Sequence, residues 1–111
     1  MAEISKETEH KINQLQLFEQ GMQTILAQKQ QFQMQLVEIE SALNELNKSD
    51  TAYKIVGNIM VASNKEDLKA DLKSKKDVVD LRLKTLEKQE NQIKEKAEKL
   101  QAEVLKKIKN E

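Results

Sequence analysis

The 111-residue chain has no cysteine, no proline, two glycines and only 3% aromatic residues. Without cysteine it can form neither a disulfide framework nor a thiolate metal site. So few aromatics, with abundant Leu, Lys, Glu and Gln, are typical of coiled coils and exclude a wide globular core. No apolar run approaches the roughly 20 residues that a membrane helix needs. The polar, acidic first ten residues do not predict a signal peptide, so we expect a soluble, cytoplasmic protein.

Side chains for catalysis or metal binding are equally scarce. His10 is the only histidine and lies in a polar segment beside Glu7 and Glu9, where a solvated imidazole is the expected state. One histidine without cysteine does not predict a zinc site, and two isolated glycines do not form a phosphate-binding loop. We therefore expect no enzyme activity, no metal and no cofactor.

The charge is balanced overall but unevenly distributed. The formal net charge is zero, which argues against binding to nucleic acid or membranes through bulk charge. Residues 1–48 hold four Lys and seven Glu, a net charge of −3, whereas residues 65–111 hold 14 Lys or Arg and 11 Asp or Glu, a net charge of +3. This opposition favours pairing between the two segments, modestly, since an exposed ion pair contributes about 0–1 kcal/mol.

Two long segments carry apolar residues at heptad spacing, and each predicts a coiled-coil helix. The first alternates spacings of three and four and is interrupted only at Lys29. The second is interrupted at Lys76 and Glu90. The apolar positions are Leu15, Phe18, Met22, Ile25, Phe32, Leu36, Ile39, Leu43 and Leu46, then Leu72, Val79, Leu83, Leu86, Ile93, Ala97, Leu100 and Val104.

A narrow apolar stripe needs a partner helix to cover it. We predict helices over residues 4–47 and 65–109 that fold back on each other as an antiparallel coiled coil, in one domain over residues 1–111. Apolar layers then meet apolar layers, and Lys29 falls close enough to Glu90 for a cross-helix ion pair. Gly21, inside the first helix, is interpreted as an exposed, tolerated glycine or, in the alternative, as a soft point of the helix or a close contact.

The segment between the helices, residues 52–63, is rich in β-branched residues and has Gly57-Asn58 at its centre, which predicts a β-hairpin with a two-residue turn. Val56 then faces Ile59, Ile55 faces Met60, Lys54 faces Val61 and Tyr53 faces Ala62. Both faces are largely apolar, and an isolated hairpin is marginal in water. The hairpin therefore predicts oligomerisation through sheet or barrel closure, with assembly residues Tyr53, Ile55, Val56, Gly57, Asn58, Ile59, Met60 and Val61.

The start of the second helix has two alternative caps. Ser63 with Glu66 forms a capping box, and Asn64 with Asp67 is equivalent one residue later. Further apolar residues lie outside the predicted seam near the free helix ends: Ile4, Ile12, Leu17, Leu105 and Ile108. They are interpreted as a wider packing face with fraying ends or, in the alternative, as an adaptable apolar binding surface. Val78 and Leu81 are also off the seam, towards the hairpin, where contact with a neighbouring subunit is the simpler interpretation.

The order helix, single hairpin, helix resembles the archaeal prefoldin beta subunit family. The resemblance lies in Tyr53-Lys54-Ile55-Val56-Gly57, Asn58-Ile59-Met60-Val61 and Lys65-Glu66, and extends to residues 28–30 and 83–90. It covers nearly the whole chain, and the hairpin segment is its most specific part.

The resemblance implies a chaperone that uses no ATP, a hetero-hexamer of two alpha and four beta subunits. Hairpins would form a β-barrel platform, and coiled-coil tips would hold unfolded proteins for delivery to a group II chaperonin. The free-end residues Ile4, Ile12, Leu17, Leu105 and Ile108 would then bind clients. The alternative from a different class is a structural coiled-coil adaptor that tethers two partners without binding unfolded chains.

Overall fold

The computed structural model describes residues 5–110. Helix α1 spans Lys6–Lys48, strand β1 Ala52–Val56, strand β2 Ile59–Ser63 and helix α2 Lys65–Asn110. The predicted fold class, two long helices with an antiparallel hairpin between them, is confirmed. Each helix ends one residue later than predicted, and α1 begins at Lys6, after Ser5. Within residues 5–110, neither helix is apolar enough over a sufficient length to cross a membrane.

Polar side chains define the helix ends. The Ser5 hydroxyl accepts a hydrogen bond from the backbone N–H of Thr8 at 3.2 Å, which caps the start of α1. After α1 ends, the Ser49 hydroxyl donates to the carbonyl of Thr51 at 2.7 Å and turns the chain towards the hairpin. At α2, Asn64 Oδ1 accepts from the backbone N–H groups of Glu66 at 2.8 Å and Asp67 at 3.4 Å.

Asn64 is therefore the N-cap of α2, which confirms the second of the two predicted caps. The prediction of a capping box at Ser63 is wrong. The reason is that Ser63 is the last residue of β2 and pairs with Ala52. Its backbone is extended as part of the ladder, so the following residue is the first that can cap the helix.

The described residues form two compact units, and both helices contribute to each. The helix-end unit comprises residues 5–29 and 85–110, and the hairpin unit comprises residues 30–84. In the helix-end unit, Lys11 contacts Glu103 at 3.3 Å and Lys29 contacts Glu90 at 3.0 Å, so the helices run antiparallel. In the hairpin unit, Glu40 contacts Lys76 at 3.6 Å and Phe32 lies beside Arg82, with the same implication.

Every residue predicted to lie in the apolar seam is buried or half-buried. Ile25, Leu86 and Val104 are buried in the helix-end unit, and Val79 is buried in the hairpin unit. Most residues between these positions are exposed, as a heptad stripe requires. The predicted seam is thus confirmed on both helices.

The polar interruptions of the stripe are satisfied across the helices. Lys29 Nζ lies 3.0 Å from Glu90 Oε2, so the predicted ion pair is confirmed. Both side chains are partly covered, with 18% and 27% exposed. In the hairpin unit, the Arg82 guanidinium lies 5.7 Å from the centroid of the Phe32 ring, within range of a cation–π interaction. Seam positions and their flanks therefore carry specific polar contacts as well as apolar layers.

The hairpin has the predicted register, from Ala52 opposite Ser63 to Val56 opposite Ile59. Gly57 has a φ of 61°, whereas Asn58 does not adopt a positive φ. Positive φ at only the first of the two central residues is the pattern of a type II′ turn, which takes glycine at that position. The turn therefore depends on Gly57 for its backbone conformation.

Gly21 is half-buried rather than exposed. A Cβ atom built there would lie 3.6 Å from Ile93 Cδ1, an ordinary van der Waals distance. The preferred interpretation of an exposed glycine is therefore wrong, and the alternative, a helix contact, describes the position better. The reason is that Gly21 directly precedes the seam residue Met22, so it lies on the side of α1 that faces α2.

The two glycines make opposite predictions when each is replaced by alanine. Gly21→Ala should stabilise the fold by about 1 kcal/mol, because alanine favours helix and its methyl group fits against Ile93. Gly57→Ala should destabilise it by about 1–2 kcal/mol, because its φ is unfavourable for any residue with a Cβ atom. Urea unfolding followed by circular dichroism at a fixed protein concentration measures both. The same sign for both variants would contradict this account.

Candidate assembly and binding surfaces

The hairpin displays apolar side chains on both of its faces. Because the register is known, Tyr53, Ile55 and Met60 share one face, and Val56, Ile59 and Val61 share the other. These six side chains are between 47% and 70% exposed. A two-stranded sheet with open edges and two apolar faces is a strong candidate for association with other strands.

The Tyr53 face borders a groove against the helices. Its walls include Tyr53 and Ile55 from β1, Leu46 from α1, and Leu68 and Leu72 from α2. Ala52, at the start of β1, is buried beside it. The helices therefore cover the start of the hairpin but leave its outer side chains exposed. The chain thus has a groove beside the hairpin as well as the exposed hairpin itself.

Near the free helix ends, three of the predicted binding residues are exposed: Leu17 by 64%, Leu105 by 54% and Ile108 by 46%. We call these three residues the helix-end apolar group. Ile12 is half-buried and belongs to the edge of the seam. Ile4 lies outside the described residues.

The helix-end apolar group is divided between two flanks of the seam. Counting heptad positions from Leu15 and Val104 places Leu17 on one flank, and Leu105 and Ile108 on the other. Ile12 lies on the same flank as Ile108. The predicted residues therefore do not make one continuous surface, and the free ends offer small apolar contacts in two directions.

A network of four charged side chains crosses the helices in the same unit. Lys11 Nζ contacts Glu7 at 3.7 Å and Glu103 at 3.3 Å. Lys107 Nζ contacts the other carboxylate oxygen of Glu7 at 3.0 Å. Glu7 thus bridges one lysine from each helix, and we call these four residues the ionic layer.

The ionic layer occupies seam positions. Continuing the heptad spacing past Leu15 gives Lys11, and continuing it past Val104 gives Lys107, and both lysines are half-buried. Each lysine therefore takes the place of an apolar side chain in the seam, and Glu7 contacts both ammonium groups. Their mutual repulsion is offset by Glu7 and Glu103.

The charge environment also acts on Glu7. Its hydrogen bond to Lys107, the positive charge of Lys107 and that of Lys11 hold the pKa of Glu7 below its ordinary value, in that order of importance. All three favour the ionised carboxylate, so the bridge keeps its charge below the pH at which a free glutamate takes up its proton.

Sequence reasoning missed two features of these surfaces. The ionic layer could have been found by extending the heptad count beyond the last apolar residue at each free end. The other is a pair of exposed apolar residues on the outer side of α1, Met34 and Val37, which line a shallow depression with Gln30 and Gln33. They lie opposite the seam, so the spacing that located the seam gave no signal for them.

Residues 5–110 contain no cluster of three His, Asp or Glu side chains arranged to hold a metal ion. The single histidine, His10, is exposed on α1. The surfaces described above are apolar or carry paired charges, and exposed apolar surfaces of this kind are typical of contacts with other polypeptides.

Comparison with known proteins agrees with this architecture. The model of the prefoldin subunit family matches residues 9–111. The chain belongs to the prefoldin family. Among prefoldin beta subunits, that of Archaeoglobus fulgidus is 37% identical, over 86% of this chain and 85% of the relative. That of Methanothrix thermoacetophila is 39% identical, over 89% and 85%.

A solved structure shows the same fold. The crystal structure of the prefoldin beta subunit from Thermococcus strain KS-1 matches with a TM-score of 0.88 at 33% identity, covering 94% of each chain. The resemblance inferred from the sequence is thereby confirmed at the level of the family, of the beta type and of the fold. A prefoldin with a single hairpin is what both the sequence and the structure of this chain describe.

The Glu7 bridge predicts a pH dependence with a definite sign. Because the pKa of Glu7 is lower in the folded state, its contribution to stability is present above the ordinary glutamate pKa and is lost as the pH falls through the depressed folded value. Carbon-detected NMR titration should show the Glu7 carboxyl titrating at a higher pH in Lys107→Met than in the unmodified chain. An unchanged titration midpoint would contradict the bridge.

Proposed function

We propose that this prefoldin is a chaperone subunit that works without ATP and binds unfolded polypeptides as part of a hetero-oligomer. The observation that carries the proposal is the hairpin, whose six large apolar side chains are exposed on both faces. The relatives are named as subunits, which means that they act in complexes. An exposed apolar hairpin of this kind is typical of a segment that is buried between the subunits of a complex.

The assembly that fits is one in which hairpins close into a β-barrel. Barrel closure removes the open edges and buries one face of each ribbon inside. The groove between Tyr53, Leu46 and Leu72 would accept part of a neighbouring subunit. By the resemblance, the complex contains two alpha and four beta subunits in the cytoplasm, with residues 1–111 of each beta subunit acting as one domain.

Client binding is proposed for the helix-end apolar group, Leu17, Leu105 and Ile108. Each side chain is exposed, and none belongs to the seam that holds the helices together. A client without a fixed shape cannot be held by a rigid pocket. Several small apolar contacts from several subunits can hold it through effective concentration while each contact remains reversible. Delivery to a group II chaperonin is the expected next step, and it needs no catalytic residue in this chain.

Ile12 is not included in the proposed group, although the sequence placed it there. Its half-buried side chain packs at the edge of the seam, so its replacement would loosen the helices as well as remove an apolar contact. Ile4 lies outside the described residues and stays a prediction from the sequence.

Assembly is tested by placing a charge on the hairpin. Ile59→Lys should prevent formation of the full complex with an alpha-type subunit, because a lysine cannot be buried between ribbons without a partner. Met34→Lys is the matched control, because Met34 is exposed to the same extent, 66%, but lies on α1. Native mass spectrometry gives the mass of each complex. A full-mass complex with Ile59→Lys would contradict the proposed interface.

Client binding is tested in the assembled complex by light scattering from an aggregating client protein. Replacing Leu17, Leu105 and Ile108 together by serine should reduce suppression of aggregation, because the apolar contacts are lost while the seam is intact. The control replaces Leu26, Met34 and Val37, three exposed apolar residues of α1 that lie nearer the hairpin, by serine, and should suppress aggregation as the unmodified complex does. Equal suppression by both triple variants would place the binding site elsewhere.

A further inference from the structure

The ionic layer lies where the apolar seam ends, so its ion pairs hold the two helix ends together. Lys11 and Lys107 occupy seam positions on opposite helices, and the carboxylate of Glu7 contacts both, at 3.7 and 3.0 Å. Glu103 adds a second contact to Lys11 at 3.3 Å. If Glu7 is neutralised, the two ammonium groups that its carboxylate holds together lose the charge that offsets their repulsion; salt weakens the same network by screening its net attraction.

Apolar residues lie beside the ionic layer. Val104 is buried, and Leu15 and Ile12 are half-buried. Separation of the helix ends would expose Val104 and the covered parts of Leu15 and Ile12. The helix-end apolar group, by contrast, is exposed while the ends are closed. The free end therefore holds two sets of apolar side chains, one always available and one covered.

We propose that the ionic layer is an electrostatic clamp that controls separation of the helix ends and so regulates how much apolar surface is offered to a client. The proposal rests on client binding at the free ends, as set out above. With the clamp closed, only Leu17, Leu105 and Ile108 are available. With the clamp open, Val104, Leu15 and Ile12 also become available, and the apolar area that can contact a client increases.

Ionic strength is the natural control of such a clamp. The contacts of Glu7 lie at a partly exposed helix end, where dissolved salt screens charges over roughly 8 Å at physiological ionic strength and about 3 Å at 1 M. The Lys29–Glu90 pair is more covered and should respond less. Salt is therefore expected to loosen the free ends selectively before it affects the rest of the seam.

The chain contains a matched control for the test. Glu7 and Glu66 both lie in the first turn of a helix, are 66% and 78% exposed, and contact a lysine of their own helix. Only Glu7 also reaches the other helix. Glu7→Gln and Glu66→Gln therefore remove equivalent charges with respect to the helix dipole, and they differ in the cross-helix contact.

Hydrogen exchange in the complex with the alpha-type subunit measures the clamp without any client. At about 20 mM salt, residues 101–109 of α2 should exchange roughly two- to fivefold faster in Glu7→Gln than in the unmodified chain, and raising the salt to about 1 M should remove the difference. Glu66→Gln should leave these residues unchanged. Equal exchange in Glu7→Gln and the unmodified chain at low salt would overturn the clamp.

A variant with the opposite expected effect separates charge repulsion from general loosening. Lys107→Met replaces one seam lysine by an apolar side chain and should slow exchange at residues 101–109 and weaken its dependence on salt, although the Lys11–Glu103 contact remains. Faster exchange in Lys107→Met, with the salt dependence kept, would overturn the role of lysine repulsion.

The regulatory part is tested by light scattering with an aggregating client. Glu7→Gln should suppress aggregation at a lower concentration of complex than Glu66→Gln does. Faster exchange with unchanged suppression would overturn regulation by the clamp, although the clamp itself would stand. Failure of the underlying proposal would look different: the serine variant of Leu17, Leu105 and Ile108 would keep full suppression, whatever the exchange rates.

Discussion

The structure depends on one constraint, which is that this chain cannot bury all of its apolar surface by itself. The helices solve the problem along the seam, where each apolar stripe covers the other and Val79, Leu86 and Val104 are buried. The hairpin does not, because two strands have no third layer to pack on. The same sequence thus combines a coiled coil that covers its apolar stripe with a hairpin that does not, which is why the proposed assembly with other subunits centres on the hairpin.

The periodic spacing of apolar residues was enough to predict the parts of the fold that depend on periodicity. The seam residues and the Lys29–Glu90 pair follow from the spacing of three and four residues at which contacts recur along helices. The hairpin register follows from the spacing of two residues along strands. Competition between neighbours was harder to predict. Whether Ser63 or Asn64 caps α2 depends on where the ladder ends, and both residues are good caps by type.

The candidate surfaces show the same division. Apolar residues off the seam could be found from the sequence, but their exposure could not, and Ile12 and Leu17 proved to differ although both flank the seam. The spacing rule was applied only to apolar residues, so it gave no signal for the seam lysines Lys11 and Lys107. Their seam position becomes evident once the contacts with Glu7 are known.

Ending an apolar seam with charges has a physical logic under the proposal that the free helix ends bind unfolded chains. An apolar final layer would keep the ends closed under all conditions, or would associate with other exposed ends. A layer of exposed ion pairs is weak and reversible, because the gain from pairing is nearly balanced by the loss of hydration and of side-chain freedom. In the proposed clamp, near-balance would let a modest change in ionic strength shift the population of open ends, while the buried layers inward of Val104 keep the helices paired.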